Sequence, residues 1–280
     1  MGWHLSIYKS NNVAITDSSF VGAKAIGVHM DNVRNVTFTD NFVGDVIKRT
    51  TYQAEKSVDK ESCVAICSYM LNAPSPCTDL TITGNIAAGC KWAGFLVPGH
   101  DCKQSNGSNT FKDNVSHSNL GVGAAIYPNP QGKNHGKCYE MSYFSAYKTT
   151  LPCLATMYVT DEMRAHHITC IDTEKGISLQ TGKESDDLKI ILSDSHIYGE
   201  HEALDCPAGH DCYCREKFGF MFMSNNVKPK DLHIVSKSAR PIYKIKSFGA
   251  YGGEAFIDRV EFHNFNTGGV TKCQNKQHIF

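Results

Sequence analysis

The sequence predicts an all-β protein whose chain winds into a parallel β-helix, a solenoid in which each coil stacks on the previous one. A phrase made of Asn or Asp, a β-branched or aromatic residue and a short polar turn recurs along the chain. Its spacing is about 22 residues, and no stretch keeps the 3.6-residue apolar period of a helix. Several short strands per repeat without a helix are typical of a β-solenoid.

The aligned apolar residues of this phrase are Ile15, Phe38, Ile82 and Phe111. Ile15 precedes Phe38 by 23 residues, and Phe38 precedes Ile82 by 44, close to two repeats. Because neighbouring coils pair at about 4.8 Å, like residues stack through the solenoid. We therefore expect these four side chains to form one column of the core and the repeated asparagines to form amide ladders. Looser copies are expected at Ile168, Leu192, Ile234 and Phe262.

A second strand is predicted at a fixed offset from the first. Gly27, Gly94 and Gly123 each follow an aligned apolar residue by 12 residues and open a short apolar run. Gly176 follows Ile168 by only 8, so a shortened turn is expected in that coil. Alternation of apolar and polar residues in these runs favours strands with one buried face.

Two stretches interrupt the repeat, at about 48–77 and 199–217, and are predicted to be loop excursions. The chain contains no linker rich in Pro, Gly or Ser, so residues 1–280 are expected to form a single domain. The second excursion holds three cysteines with His201 and His210, but their spacing departs from that of zinc sites. We expect disulfides there and no metal. His166 and His167 are neighbours in a predicted strand and should point to opposite faces.

The cysteines and sequons indicate an oxidising, extracellular compartment. Sequons occur at Asn35, Asn106 and Asn114, and we expect glycans first at Asn106, next at Asn114 and last at Asn35. The amino terminus has no signal-peptide pattern, so the chain is expected to be a segment of a larger extracellular protein. The disulfide candidates are Cys63, Cys67, Cys77, Cys90, Cys102, Cys138, Cys153, Cys170, Cys206, Cys212, Cys214 and Cys273.

Charge and motif content exclude several classes of function. Lys and Arg number 28, as do Asp and Glu, so no net field favours nucleic acid. No apolar run reaches the roughly 18 residues of a membrane-spanning helix. Nucleophile elbows, phosphate-binding loops and dinucleotide fingerprints are also missing, so no cofactor is expected.

A family resemblance adds to this interpretation. Residues 83–102 contain Gly-Asn-Ile-Ala-Ala-Gly, Gly-Phe and Gly-His-Asp-Cys, and Asn-Val-Ser-His-Ser follows at 114–118. This order resembles the parallel β-helix (PbH1) repeat region of fibrocystin and fibrocystin-like proteins, most specifically over residues 79–127. Residues 240–265 also resemble the coil that closes that region. The resemblance implies a right-handed parallel β-helix within a larger surface protein, with neighbouring modules or further copies of that protein as partners. Cell-surface hyaluronidases share related repeats, so an enzyme stays open.

Three functions are compatible with these observations. The first is a non-catalytic structural or adhesion scaffold in a glycosylated cell-surface coat or filament. The second is a polysaccharide lyase or hydrolase using Asp172 and Asp194, which lie 22 residues apart and could meet by coil stacking. The third is a carbohydrate- or protein-binding module. Its candidate residues are the aromatics Trp92, Tyr127, Tyr143 and Tyr147.

Overall fold

In the computed structural model, the regular structure of the described residues is made entirely of β-strands. The described residues are 2–46, 61–67, 77–97, 100–101, 109–126, 138–159, 162–173, 175–181, 189–199, 217–223, 231–235, 242–248, 251–263 and 277–278. The strands are β1 (Leu5–Tyr8), β2 (Asn11–Thr16), β3 (Ser19–Val21), β4 (Val28–Asp31), β5 (Arg34–Thr39), β6 (Phe42–Val46), β7 (Val64–Ile66), β8 (Thr78–Thr83), β9 (Ile86–Cys90), β10 (Ala93–Val97), β11 (His100–Asp101), β12 (Thr110–His117), β13 (Val122–Ile126), β14 (Cys138–Tyr147), β15 (Leu154–Val159), β16 (Glu162–Ile171), β17 (Lys175–Thr181), β18 (Lys189–Tyr198), β19 (Lys217–Met223), β20 (Asp231–Val235), β21 (Ile242–Phe248), β22 (Tyr251–His263) and β23 (Gln277–His278). The prediction of an all-β chain is confirmed. These ranges contain no helix that could cross a lipid bilayer.

The strands form two long sheets. The first has the order β1-β4-β7-β10-β13-β15-β17-β19-β23, and its strands pair in parallel. The second has the order β2-β5-β8-β12-β14-β16-β18-β22-β21-β20, with β3, β6 and β9 as a side branch that joins at β12. Strand β12 is long enough to pair with both β8 and β9. Strands of one sheet alternate along the chain with strands of the other, which makes the fold β-helix-like.

The repeat phrase corresponds to the register of the second sheet. Ile15 pairs with Phe38, Phe38 with Ile82, and Ile82 with Phe111. Phe38, Ile82 and Phe111 are buried, and Ile15 packs against the same core cluster. The predicted column is confirmed over these four coils.

Of the looser sequence copies, Leu192 belongs to the column, whereas Phe262 pairs with Ile197 and lies outside it. Ala165 and Leu192 follow in register, and Ile168 instead pairs with Phe144. His167 has a left-handed φ of 54°, which breaks the alternation so that Ala165 and Ile168 are both buried. The alignment at Ile168 was therefore displaced by one corner, and the apparent shortened turn before Gly176 came from that displacement. Ile234 lies in β20, which pairs antiparallel with β21.

Two further expectations change. Strand β7 lies inside the stretch predicted as an excursion, yet it pairs in parallel with β4 and β10, so that excursion is interrupted. Residues 47–60, 68–76 and 200–216 lie outside the described residues. The second sheet ends in antiparallel strands, because β21 pairs antiparallel with both β20 and β22. The parallel arrangement therefore does not extend to that edge.

The core combines aromatic side chains with disulfides. Phe95 packs edge-on against Phe111 and Phe144, with ring centroids 5.5 and 6.3 Å apart. The disulfides among the described residues are Cys63–Cys90, Cys67–Cys77 and Cys153–Cys170, and all six cysteines belong to the same core cluster. The prediction of disulfide bonds is confirmed for these six cysteines, and the three bonds lie inside the core. Cys138 begins β14, whereas Cys102, Cys206, Cys212, Cys214 and Cys273 lie outside the described residues.

Asn41, Asn85 and Asn114 form a buried amide ladder across three coils. The Oδ1 of Asn85 accepts hydrogen bonds from the backbone N and the Nδ2 of Asn41, both at 3.0 Å. Asn114 repeats this arrangement with Asn85. Each Nδ2 also donates to a backbone carbonyl of the preceding coil. The side chains thus satisfy backbone groups at a corner where strand pairing is interrupted, as the asparagine repeat predicted.

Candidate functional site

The outward face of the second sheet carries a groove that runs across several coils. It has a volume of about 410 Å³ and is lined by Asp113, Tyr143, Ser145, His167, Thr169 and Asp194. Tyr143, His167 and Asp194 belong to one corner column, defined as Asp113, Tyr143, His167, Asp194 and Arg259. All five have φ between 48° and 57°. This left-handed backbone turns the chain at each coil and places five side chains along one rim.

Two aromatic rings dominate the middle of this rim. Tyr143 is 50% exposed and stacks on His167, with ring centroids 4.5 Å apart and an interplanar angle of 14°. His166 lies beside them, 5.4 Å from His167 between ring centroids, and its Nε2 is 2.9 Å from Oε1 of Glu140. The prediction that His166 and His167 point to opposite faces is wrong. The left-handed corner at His167 brings both rings to the outer side.

Asp194 and Arg259, at one end of the rim, form an ion pair. Arg259 donates to both carboxylate oxygens of Asp194, and the Nη2–Oδ2 distance is 2.7 Å. Arg259 also contacts Asp258. The hydrogen bond from Arg259 lowers the pKa of Asp194 below its ordinary value. A carboxyl group with a lowered pKa is poorly suited to donate a proton as a general acid.

The structure does not bring the two predicted acids together. Ile171, which precedes Asp172, pairs with Tyr198, and Asp194 lies four residues before Tyr198. Asp172 is therefore offset from Asp194 by five residues along the strands, or about 16 Å. Acid pairs in glycoside hydrolases lie roughly 5 to 10 Å apart. The 22-residue spacing does not bring the two acids together because successive coils differ in length. Glu162, a further acid of the second sheet, is buried and forms an ion pair with Arg164.

The predicted binding aromatics occupy different environments. Tyr147 is half-buried and stacks on His117, with centroids 4.7 Å apart, on the same outward face as Tyr143. Trp92 packs against the hydrophobic cluster on the other face of the first sheet. Its indole Nε1 is buried without a hydrogen-bond partner. Tyr127 lies outside the described residues. Only Tyr143 among the described three is prominently exposed.

A cluster of two histidines and a glutamate, which the sequence analysis did not predict, lies on β18 and β22 on the outward face of the second sheet. The Nδ1 of His196 is 3.1 Å from Oε2 of Glu261, and the Nε2 of His263 is 3.3 Å from the same oxygen. One ligand atom from each residue lies within 4.8 Å of the others. Glu261 and His263 share a face because they alternate in β22, a spacing visible in the sequence. His196 pairs with Glu261 only through the register of β18 with β22.

The sequons lie in contrasting places. Asn35 is exposed at a left-handed corner, and its Nδ2 donates to Oδ1 of Asn12 at 2.7 Å. Asn114 is fully buried, and its Nδ2 donates to the carbonyls of Ile82 and Lys112. A glycan on that nitrogen would break the ladder, so the burial favours Asn35 over Asn114, and the glycosylation of both stays a prediction. Asn106 lies outside the described residues, and its glycosylation stays a prediction.

A buried polar pair lies on the first sheet, away from the groove. His29 and Asp31 are buried on β4, and each has a buried side-chain atom without a hydrogen-bond partner. Trp3 stacks over His29, with ring centroids 5.3 Å apart. Burial lowers the pKa of His29, and burial raises the pKa of Asp31.

Comparison with known proteins agrees with the resemblance noted in the repeats. The chain is 26% identical over 171 residues to a fibrocystin of Canis lupus familiaris, covering 58% of the chain and 4% of that protein. It is 26% identical over 212 residues to a fibrocystin of Mus musculus, covering 74% of the chain and 5% of that protein. The chain thus spans about one-twentieth of the length of these relatives. No family model matches it, and no solved structure matches. The similarity supports a fibrocystin-like relationship.

Proposed function

We propose that this chain is a non-catalytic, coil-stacked segment of an extracellular scaffold protein that forms part of a glycosylated cell surface. The observation that carries the proposal is the burial of three disulfides inside the core. Disulfides form and persist in oxidising compartments and are rare in the cytosol. The similarity to fibrocystin supports the same placement.

The proposed architecture is a right-handed parallel β-helix. In the described part of the chain, strands of the two sheets alternate, and connections between parallel strands of one sheet are right-handed in about 98% of cases. Such a solenoid exposes unpaired strand edges at its ends. Neighbouring modules, or further copies of the same surface protein, are the partners that would cover them.

A non-catalytic role fits the described acids. Asp194 is engaged by Arg259, and Asp172 lies too far away to act with it. The predicted pair of Asp172 and Asp194 therefore gives no support to the lyase or hydrolase alternative. The buried ladder and the disulfides in the core instead favour a structural role.

Two measurements on protein secreted from mammalian cells test this proposal. Non-reducing peptide mapping should recover the Cys63–Cys90, Cys67–Cys77 and Cys153–Cys170 pairs. Incubation with hyaluronan, chondroitin and pectin should release no oligosaccharides above a buffer control. Free thiols at these six positions would remove the basis for an oxidising compartment. Release of unsaturated or reducing sugars would establish the enzyme alternative.

A second candidate function, carbohydrate binding, is favoured by the exposed ring of Tyr143 above the groove. Sugar rings stack on flat aromatic faces, and the neighbouring hydroxyls of Ser145 and Thr169 offer hydrogen bonds. A glycan array probed with the secreted chain and its Tyr143→Ala variant tests this function. Binding that the variant loses would support it. Binding that persists unchanged, or is absent from both proteins, would contradict it.

A further inference from the structure

We propose that His196, Glu261 and His263 form a binding site for a divalent transition-metal ion such as zinc. The site joins two consecutive coils of the second sheet, because His196 belongs to β18 and the other two residues to β22. His196 also lines the groove, so the site lies at its edge, and metal binding is a property additional to the scaffold role.

Two of the three distances between donor atoms match a tetrahedral ion, and the two histidine nitrogens lie within 4.8 Å of each other. With bonds of about 2.0 to 2.1 Å to nitrogen and oxygen, ligand atoms of tetrahedral zinc lie about 3.3 Å apart. The carboxylate oxygen of Glu261 lies 3.1 Å from the nitrogen of His196 and 3.3 Å from that of His263. An ion could therefore replace the two hydrogen bonds with only a small movement of the side chains.

The backbone holds these ligands in place. β18 and β22 pair in register from Lys189 with Glu254 to Tyr198 with His263. The ring of Tyr198 stacks on His263 with centroids 4.5 Å apart and an interplanar angle of 10°, which restrains the imidazole. The ion pair of Arg259 with Asp194 ties the same two strands two residues before Glu261 and His196. Preorganised ligands reduce the entropy that binding must overcome.

The donor set selects the class of ion. Two imidazole nitrogens and one carboxylate oxygen suit zinc and copper, whereas calcium and magnesium prefer oxygen ligands. The side chains of His196, Glu261 and His263 are 48%, 36% and 41% exposed. A bound ion would therefore keep at least one coordination position open to water or to a ligand from outside.

The same sheet provides a matched control. His166 and Glu140 form a similar hydrogen bond between coils, at 2.9 Å. They belong to no group of three ligand atoms among the residues that the structure describes. A histidine–glutamate pair alone should bind zinc weakly. The His166→Ala variant therefore shows whether zinc binding depends on the three proposed ligands or falls whenever a surface histidine is removed.

Calorimetric titration of the metal-free, fully oxidised chain with zinc chloride tests the site. We expect one site that is weakened about tenfold or more by His196→Ala, Glu261→Gln or His263→Ala, and unchanged by His166→Ala. Copper loading should give an electron paramagnetic resonance spectrum with nitrogen couplings, reduced in His263→Ala. Circular dichroism of each variant confirms that it is folded. The copper spectrum of the unsubstituted chain tests histidine coordination without relying on any variant. No zinc binding, equal binding by all variants, or a copper spectrum without nitrogen couplings would overturn the proposal.

Discussion

The side-chain oxygen of Asn114 accepts two hydrogen bonds from Asn85, one from its backbone nitrogen and one from its side-chain nitrogen, each at 3.0 Å. The two residues are 29 apart in sequence and both are fully buried. The ladder therefore replaces strand pairing at a corner of the coil, where backbone groups would otherwise be buried without partners.

Loss of the middle rung should destabilise the fold. We expect Asn85→Ala to lower the free energy of unfolding by about 2 to 4 kcal/mol, because it leaves donors of Asn41 and the carbonyl of Phe38 buried without partners. Asn11→Ala, on an exposed position of β2, should change it by less than about 0.5 kcal/mol. Urea denaturation followed by circular dichroism measures both. Equal effects of the two substitutions would show that the ladder contributes nothing specific.

The ladder also decides which sequon can carry a glycan. In protein secreted from mammalian cells we expect Asn114 to be unmodified, because its nitrogen already donates two hydrogen bonds in the core. Asn35 is exposed and can accept a glycan. Site-resolved glycopeptide mass spectrometry measures both positions, and Thr37→Ala should remove the Asn35 glycan. A glycan found on Asn114 of the folded protein would contradict the described burial.

Removal of a core disulfide should lower the free energy of unfolding, because the unfolded chain gains conformational freedom without the bond. We expect the double substitution Cys153→Ala and Cys170→Ala to lower the free energy of unfolding by about 3 kcal/mol, since the bond closes a 17-residue separation. Removal of Cys63–Cys90, with a separation of 27, should cost more than removal of Cys67–Cys77, with a separation of 10. Chemical denaturation of the three double variants gives the order. A reversed order would mean that native-state packing, not loop closure, sets the cost.

Stability should fall on mild acidification because of His29. Its pKa is lowered by burial, so the unfolded chain takes up a proton first. The contribution of neutral His29 to the free energy of unfolding is fully present above the ordinary histidine pKa of about 6.5. It is lost as the pH falls through the lower pKa of the folded state. We expect His29→Phe, which keeps a ring beneath Trp3, to lose less stability than the native chain between about pH 7 and 5.

The neighbouring carboxyl acts in the opposite sense. Burial raises the pKa of Asp31, so its contribution favours folding at lower pH and declines as the pH rises through the raised value. The charge of His29 also lowers the pKa of Asp31, so the comparison of His29→Phe with the native chain reports on the histidine together with this coupling. A His4→Phe variant, altered at an exposed position, should follow the native profile. Thermal unfolding at several pH values measures all three chains, and identical profiles for His29→Phe and the native chain would refute the assignment.

The sequence alone determined the class of fold and much of its register. Inward residues of stacked coils face the same environment, so Ile15, Phe38, Ile82 and Phe111 keep an apolar period that can be read directly. The ladder asparagines Asn41, Asn85 and Asn114 likewise recur at the same turn of three coils. These features repeat because every coil must bury the same face and satisfy the same backbone groups.

Only the tertiary structure decided which residues meet on the outer face. The chain between β18 and β22 contains β19, β20 and β21, so the meeting of His196 with Glu261 follows from register and not from any period. Asp172 and Asp194 fit the period but stand at different corners, because coil lengths vary. The left-handed corner at His167 also shifts the alternation of side chains. Contacts between coils depend on pairing across segments of unequal length, and local sequence patterns do not encode that pairing.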